Sequence, residues 1–153
     1  MSPMLPHSVI QGELVPALNA HARRRNLGRA YPELRTAFGG AAQVTDISFY
    51  AAWRVPRIVR KAEPTLLSIA PDIAVQILST GQTLDELRRK LRHSLKHGSK
   101  LGWLIHPIRK VLWVLRPRQK ATLLKSGDTL EGEEVLAGFA IPIDEMFGWL
   151  DQS

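Results

Sequence analysis

The sequence predicts an α/β or α+β fold with a mixed β-sheet at its centre and helices flanking it. Three observations carry that prediction. Residues 71–98, PDIAVQILSTGQTLDELRRKLRHSLKHG, read as a strand, a turn and an amphipathic helix. The strand is apolar on both faces except at Gln76, which suits the middle of a covered sheet. Residues 43–51, QVTDISFYA, alternate with a period of two, and residues 101–105 and 111–116 are two more apolar strands joined by HPIRK, a hairpin signal. Helix, strand, strand, helix and then a run of strands is the order of a mixed sheet.

The 153 residues suffice for one domain with a real core, so residues 1–153 are expected to form a single domain. Hydrophobic content of 44% and charged content of 23% are the balance of a globular protein. No apolar run approaches a membrane span, and the opening MSPMLPHSVIQGEL lacks the features of a signal peptide. Cysteine is absent, which excludes disulfides, thiolate metal sites and thiol nucleophiles and fits a cytoplasmic location. The formal net charge is +7, with basic residues crowded between 23 and 125 and acidic ones dominating 128–151. A basic body suits a polyanionic partner, nucleic acid first, or simply a solvated surface; charge alone does not choose.

Residues 8–26 read as a helix, from Val9, Ile10, Leu14, Leu18 and Ala22 at helical spacing. Pro16 is expected to kink it or mark a later start, and Arg23, Arg24 and Arg25 suit the negative end of the helix dipole. Residues 28–42 are expected to be irregular or weakly extended, with Gly39 and Gly40 as a turn. In the strand at 43–51, Thr45, Ile47, Phe49 and Ala51 share one face, and Asp46 projects from the more polar one with Ser48 and Tyr50. Residues 53–70 form a connection with a basic cluster, Arg54, Arg57, Arg60 and Lys61. The helix at 83–97 has Thr83 and Glu86 as a capping box, a stripe of Leu84, Leu87, Leu91 and Leu95, and Gly98 as its stop. Lys90 lies about 60° from Leu87, at the margin of that stripe. Trp103 and Trp113 are expected to pack in the core. Residues 121–124 suit a short strand, 126–138 are turn-rich, and a short helix begins near Pro142.

There is no phosphate-binding loop, dinucleotide glycine fingerprint or serine nucleophile elbow. His93 and His97 have a metal-binding spacing, but their arginine and lysine neighbours disfavour a cation. The remaining constellation is Asp46 on one strand, Gln76 on the next long strand and Lys90 on the following helix, with Asp72 at the mouth of the second strand. Two strand carboxylates and a lysine are what Mg²⁺-dependent phosphodiester hydrolysis needs, and here the second carboxylate would be an amide.

These residues carry a resemblance. PDIAVQILST resembles the PD-hydrophobic-VEVLSP run of the Uma-type restriction endonuclease family, within the PD-(D/E)XK nuclease superfamily. LRRKLRHSLKHG resembles its glycine-terminated helix, WLIHP its WLIDP, and DTLEGEEVLAGFAIPIDEMF its late pattern. TDISF at 45–49 looks like its other motif, PD-V-A-F, and SPMLPHSVIQGEL like its helix-opening segment with a histidine. The resemblance implies a restriction-endonuclease-like core, Mg²⁺, and DNA as partner. It assigns Asp46 as metal ligand, Gln76 to the position of the metal-binding glutamate, and Lys90 as the catalytic lysine. Arg57, Arg60, Lys61, Arg89 and Lys90 would hold the DNA backbone, and a homodimer would follow from cutting two strands.

The sequence departs from that pattern at several positions. Gln76 removes a negative charge from the metal site. Thr45 and Thr80 replace prolines, Ser94 a tyrosine and His106 an aspartate. The family's opening, reading roughly ELIDGEL, is missing, which points to a late start-site assignment or a decaying copy and would leave a sheet edge open. Two readings follow: a Mg²⁺-dependent DNA endonuclease that cuts weakly or not at all, or a non-catalytic relative that keeps the fold and binds nucleic acid or a protein.

Overall fold

The computed structural model describes residues 5–54 and 67–152. A long helix, α1 (Leu5–Arg25), leads into β1 (Gly28–Phe38) and β2 (Ala41–Ala51). Then come β3 (Ile73–Ile77), α2 (Leu84–Lys96), β4 (Leu101–His106), β5 (Val111–Leu115) and β6 (Thr122–Leu124). The strands β7 (Thr129–Glu131) and β8 (Ala140–Pro142) precede α3 (Ile143–Gly148) and a final 3-10 turn at Trp149–Asp151. Strands β1 to β6 form one sheet in chain order, antiparallel throughout except at β3–β4. That parallel pair needs a crossover, and α2 supplies it.

The apolar faces read from the sequence divide between the two sides of this sheet. Ile10, Leu14 and Leu18 of α1 cover Ile47, Phe49, Ile73, Val75, Ile77 and Trp103 in a cluster completed by β7, β8 and α3. On the other side Leu87, Leu91 and Leu95 of α2 cover Ala74, Leu104 and Leu115, with Trp113 packed against them. Both tryptophans therefore pack, as expected. β3 is buried at every position, which explains why it is apolar on both faces. Helix α2 begins where expected: the Thr83 hydroxyl accepts the Glu86 amide at 3.1 Å and donates to its carboxylate at 3.2 Å.

Two expectations need correction. Residues 28–42 are not irregular: Gly28–Phe38 is an 11-residue strand paired with β2 along almost its whole length. Gly39 and Gly40, at φ of 60° and 78°, form the two-residue turn between them, a geometry glycine adopts without steric cost. β1 escaped notice because it is an edge strand, so its outward residues are polar and Pro32 is tolerated within it. Among the described residues its outer rim is bonded at two places: the Leu67 carbonyl accepts the Ala37 amide at 2.7 Å, and the Asn19 side chain accepts the Ala30 amide at 2.8 Å and donates to the Ala30 carbonyl at 3.1 Å. Nor does Pro16 set a later start for α1, which runs through it from Leu5 to Arg25. Pro16 and Gly12, whose carbonyl loses its partner, both face solvent, where water can satisfy that carbonyl.

Candidate active site

Asp46 sits where the hydrogen-bond ladders on both sides of β2 are interrupted. Toward β1, Pro32 pairs with Ile47 and Leu34 with Thr45, but the intervening Glu33 and Asp46 do not pair. Glu33 has φ of 52°, a left-handed conformation that is uncommon for a non-glycine residue and rotates it out of the strand. Toward β3, pairing ends at Ile47 and Val75. Beyond that point the Ile77 amide donates to Asp46 Oδ2 at 2.7 Å instead of to a backbone carbonyl. The aspartate thus fills the gap left where β2 and β3 part, which is a physical use for a residue that is a poor strand former. The face it shares with Ser48 and Tyr50 is the more polar one of the strand, and both of those residues are buried there rather than exposed.

Helix α1 completes the neighbourhood. His7, in its first turns and 8% exposed, brings Nε2 to 3.2 Å from Asp46 Oδ2. One turn on, Gln11 donates from Nε2 to Glu33 Oε2 at 2.7 Å and to the Asp46 carbonyl at 2.9 Å. The ligand atoms of His7, Glu33 and Asp46 all lie within 4.8 Å of one another. Two atoms bonded to one small divalent cation at about 2.1 Å are at most about 4.2 Å apart. Shifts of less than about an ångström would therefore suffice to close this group around an ion. The hydrogen bond to Asp46 pushes the His7 imidazole pKa above its ordinary value; burial opposes this, and the charges of Asp46 and Glu33 add to it.

Gln76 would face Asp46 if the β2–β3 register continued one residue further. It is 2% exposed, and its Nε2 donates to the Val44 carbonyl of β2 at a long 3.4 Å. Lys90 is half-buried on α2, and its carbonyl accepts Gln43 Nε2 at 3.5 Å. Among the described residues its ammonium makes no hydrogen bond or ion pair, so it is not tied to Asp46 or Gln76. On the same helix Arg88 pairs with Asp85 at 3.0 Å and Arg92 donates to the Arg116 carbonyl at 3.2 Å, while Arg89 is exposed. Arg57, Arg60 and Lys61 lie outside the described residues, as does most of the basic connection.

Asp72 stands apart, about 13 Å along β3 from Gln76. It accepts Arg54 at 2.8 Å and the Ala51 amide at 2.7 Å, with Lys100 at 3.8 Å. His93 bonds to the Phe38 carbonyl at 2.8 Å and stacks on the Phe38 ring, and His97 bonds to the His93 carbonyl at 2.8 Å. Both hold the β1–β2 turn against α2. His106, at the end of β4, borders a groove of about 200 Å³ shared with Pro6, Leu78, Gly81 and Ile108. Burial, and then the nearby Arg109, lower its pKa.

The sequence drew attention to Asp46, Gln76 and Lys90 but passed over His7 and Glu33. His7 belongs to a helix-opening segment already notable for its histidine. Glu33 carried no signal, because only the broken strand turns it toward Asp46.

Comparison with known proteins gives this arrangement its context. No curated protein matches the chain. A crystal structure described as that of a "putative nuclease belonging to DUF820", from Anabaena variabilis, is similar in both sequence and fold. It is 32% identical, with a TM-score of 0.87, over 95% of this chain and 82% of that one. Residues 1–144 match the family model Uma2, described as "Putative restriction endonuclease". With all but its last few residues inside that match, the chain belongs to the Uma2 family.

Proposed function

We propose that this protein is a divalent-metal-dependent DNA endonuclease, formed as one nuclease-like domain and slow because Gln76 stands where a second carboxylate would serve. The observation that carries this reading is Asp46 itself. It is a carboxylate held at a gap between strands, beside a second carboxylate and an imidazole. The donor set fits a divalent cation, for which the resemblance suggests Mg²⁺, with Asp46 as ligand and Gln76 beside it as a weaker oxygen donor. Such an ion supplies positive charge against the phosphate and makes water a better nucleophile at neutral pH. In the hydrolysis, water oxygen joins phosphorus, the P–O bond to one sugar breaks, and the departing oxygen takes a proton. Lys90, whose ammonium has no bonded partner among the described residues, would offset charge developing on the phosphate. Arg89, and the basic residues of 53–61, would attract the DNA backbone. Exchanging a carboxylate for an amide forgoes about 4 kcal/mol per unit charge at 4 Å and an effective dielectric of 20, enough to slow cutting severely.

The bond from Gln76 to the Val44 carbonyl supports a second reading. A glutamate could not donate there, so the amide also serves the fold, as it would in a non-catalytic relative. A supercoiled-plasmid nicking assay with Mg²⁺ or Mn²⁺ separates the two. Wild-type nicking that vanishes in Asp46→Ala supports the nuclease. Nicking by Gln76→Glu alone marks a scaffold disarmed at one position. Silence from wild type and Gln76→Glu, with steeply salt-dependent DNA binding, favours the second reading.

A further inference from the structure

We infer that His7 and Glu33 complete the metal site at Asp46 and suit it to a first-row transition ion over the Mg²⁺ that the resemblance suggests. In it Glu33 of β1 supplies the negative charge that β3 lacks at Gln76. The inference rests on the proposed function for what the metal does, but not for whether it binds.

Three separate elements converge on the site: α1 through His7, β1 through Glu33 and β2 through Asp46. Their ligand atoms lie within 4.8 Å of one another. His7 is buried and turns Nε2 toward the Asp46 carboxylate at 3.2 Å, so the imidazole is already in place. Glu33 would sit directly across from Asp46 in an unbroken ladder. With the ladder interrupted, its carboxylate instead reaches Gln11, which also holds the Asp46 carbonyl. Gln11 is therefore a positioning residue that fixes one carboxylate relative to the backbone of the other. Among the described residues no lysine or arginine bonds to either carboxylate. Two carboxylates and a neutral imidazole balance the charge of a divalent ion. The nitrogen donor sets the preference: Mg²⁺ favours oxygen ligands and gives up water reluctantly, whereas imidazole suits transition ions.

The test is a titration of the full, chelator-stripped chain with Mn²⁺, following loss of the free-ion electron paramagnetic resonance signal. The expected result is one Mn²⁺ per chain, not displaced by a tenfold excess of Mg²⁺, with nitrogen coupling to the bound ion. Glu33→Gln, on an exposed residue whose loss the fold tolerates, is expected to weaken binding at least about tenfold, as is His7→Asn. The nitrogen coupling should vanish in His7→Asn. No binding overturns the inference, as does equal displacement by Mg²⁺. So does wild-type affinity in Glu33→Gln, which stays decisive if His7→Asn fails to fold. Nicking is read separately: Mn²⁺ bound through Glu33 without any cutting defeats the nuclease reading and leaves the site standing. Cutting that survives Glu33→Gln with unchanged metal affinity does the reverse.

Discussion

The two ends of β3 handle acidic groups in opposite ways. At its start, Asp72 is 3% exposed and surrounded by permanent partners: Arg54, the Ala51 amide and the more distant Lys100. At its other end, Asp46 and Glu33 approach each other with an imidazole, a side-chain amide and a backbone amide for company. A buried carboxylate whose charge an arginine already meets is architecture. Carboxylates gathered with no lysine or arginine bonded to them among the described residues leave room for a cation from solution. Both aspartates lie on or beside neighbouring central strands, so position alone would not tell them apart; their partners do.

This contrast is open to direct attack. The largest effect is expected at the architectural end. Asp72→Ala should cost about 3 kcal/mol of stability, because it removes the ion-pair partner of the half-buried Arg54 guanidinium, which keeps, among the described residues, only its bond to the Ala70 carbonyl, and strands the Ala51 amide; urea unfolding measures this. Asp46→Ala should cost less, about 1–3 kcal/mol for the stranded Ile77 amide, while removing any metal-dependent nicking. Asp46→Asn, which keeps an acceptor for that amide, should recover most of the stability and none of the nicking. If Asp46→Ala proves as damaging as Asp72→Ala, the distinction between the two ends collapses. Smaller still, and opposite in sign, Glu33→Gly should stabilise the fold by about 1 kcal/mol by relieving the left-handed backbone, and should weaken Mn²⁺ binding. Thermal melts and the metal titration together check both halves of that exchange.

The smallest effect depends on pH. Because Asp46 raises the His7 pKa in the metal-free fold, the protonated imidazole favours the folded state. That contribution is complete below the unfolded value of about 6.5 and is lost as pH rises through the higher folded value. The stability gap between wild type and His7→Gln, measured by urea unfolding in chelator, should therefore shrink from pH 6 to pH 9. A gap that widens over that range would mean the pair does not hold the proton as described.

Much of this was legible in the chain, for local reasons. The run at 71–98 announces itself because β3 is buried on both faces and α2 carries its own cap, stripe and stop. Asp46 stood out as an aspartate within an apolar strand, and Gln76 as the polar residue in another. β1 did not stand out, since an edge strand needs no apolar alternation. The approach of His7 and Glu33 to Asp46 joins residues that are far apart in sequence and brought together only by the packing of α1 and the break in β1. No periodicity records such a meeting. The same applies to Arg54, read from sequence as one of a basic cluster in the connection and found paired with Asp72.

The interruption at Glu33 also bears on how copies of this molecule coexist at high concentration. An edge strand of 11 residues is a template on which another chain could extend the sheet. Here Pro32 offers no amide, and the left-handed turn at Glu33 bends the next groups off the line a new strand would follow. Leu67 occupies the rim further along, at Thr36. Among the described residues only short stretches of this rim remain regular, so the irregularity that gathers the carboxylates also works against strand addition along this edge.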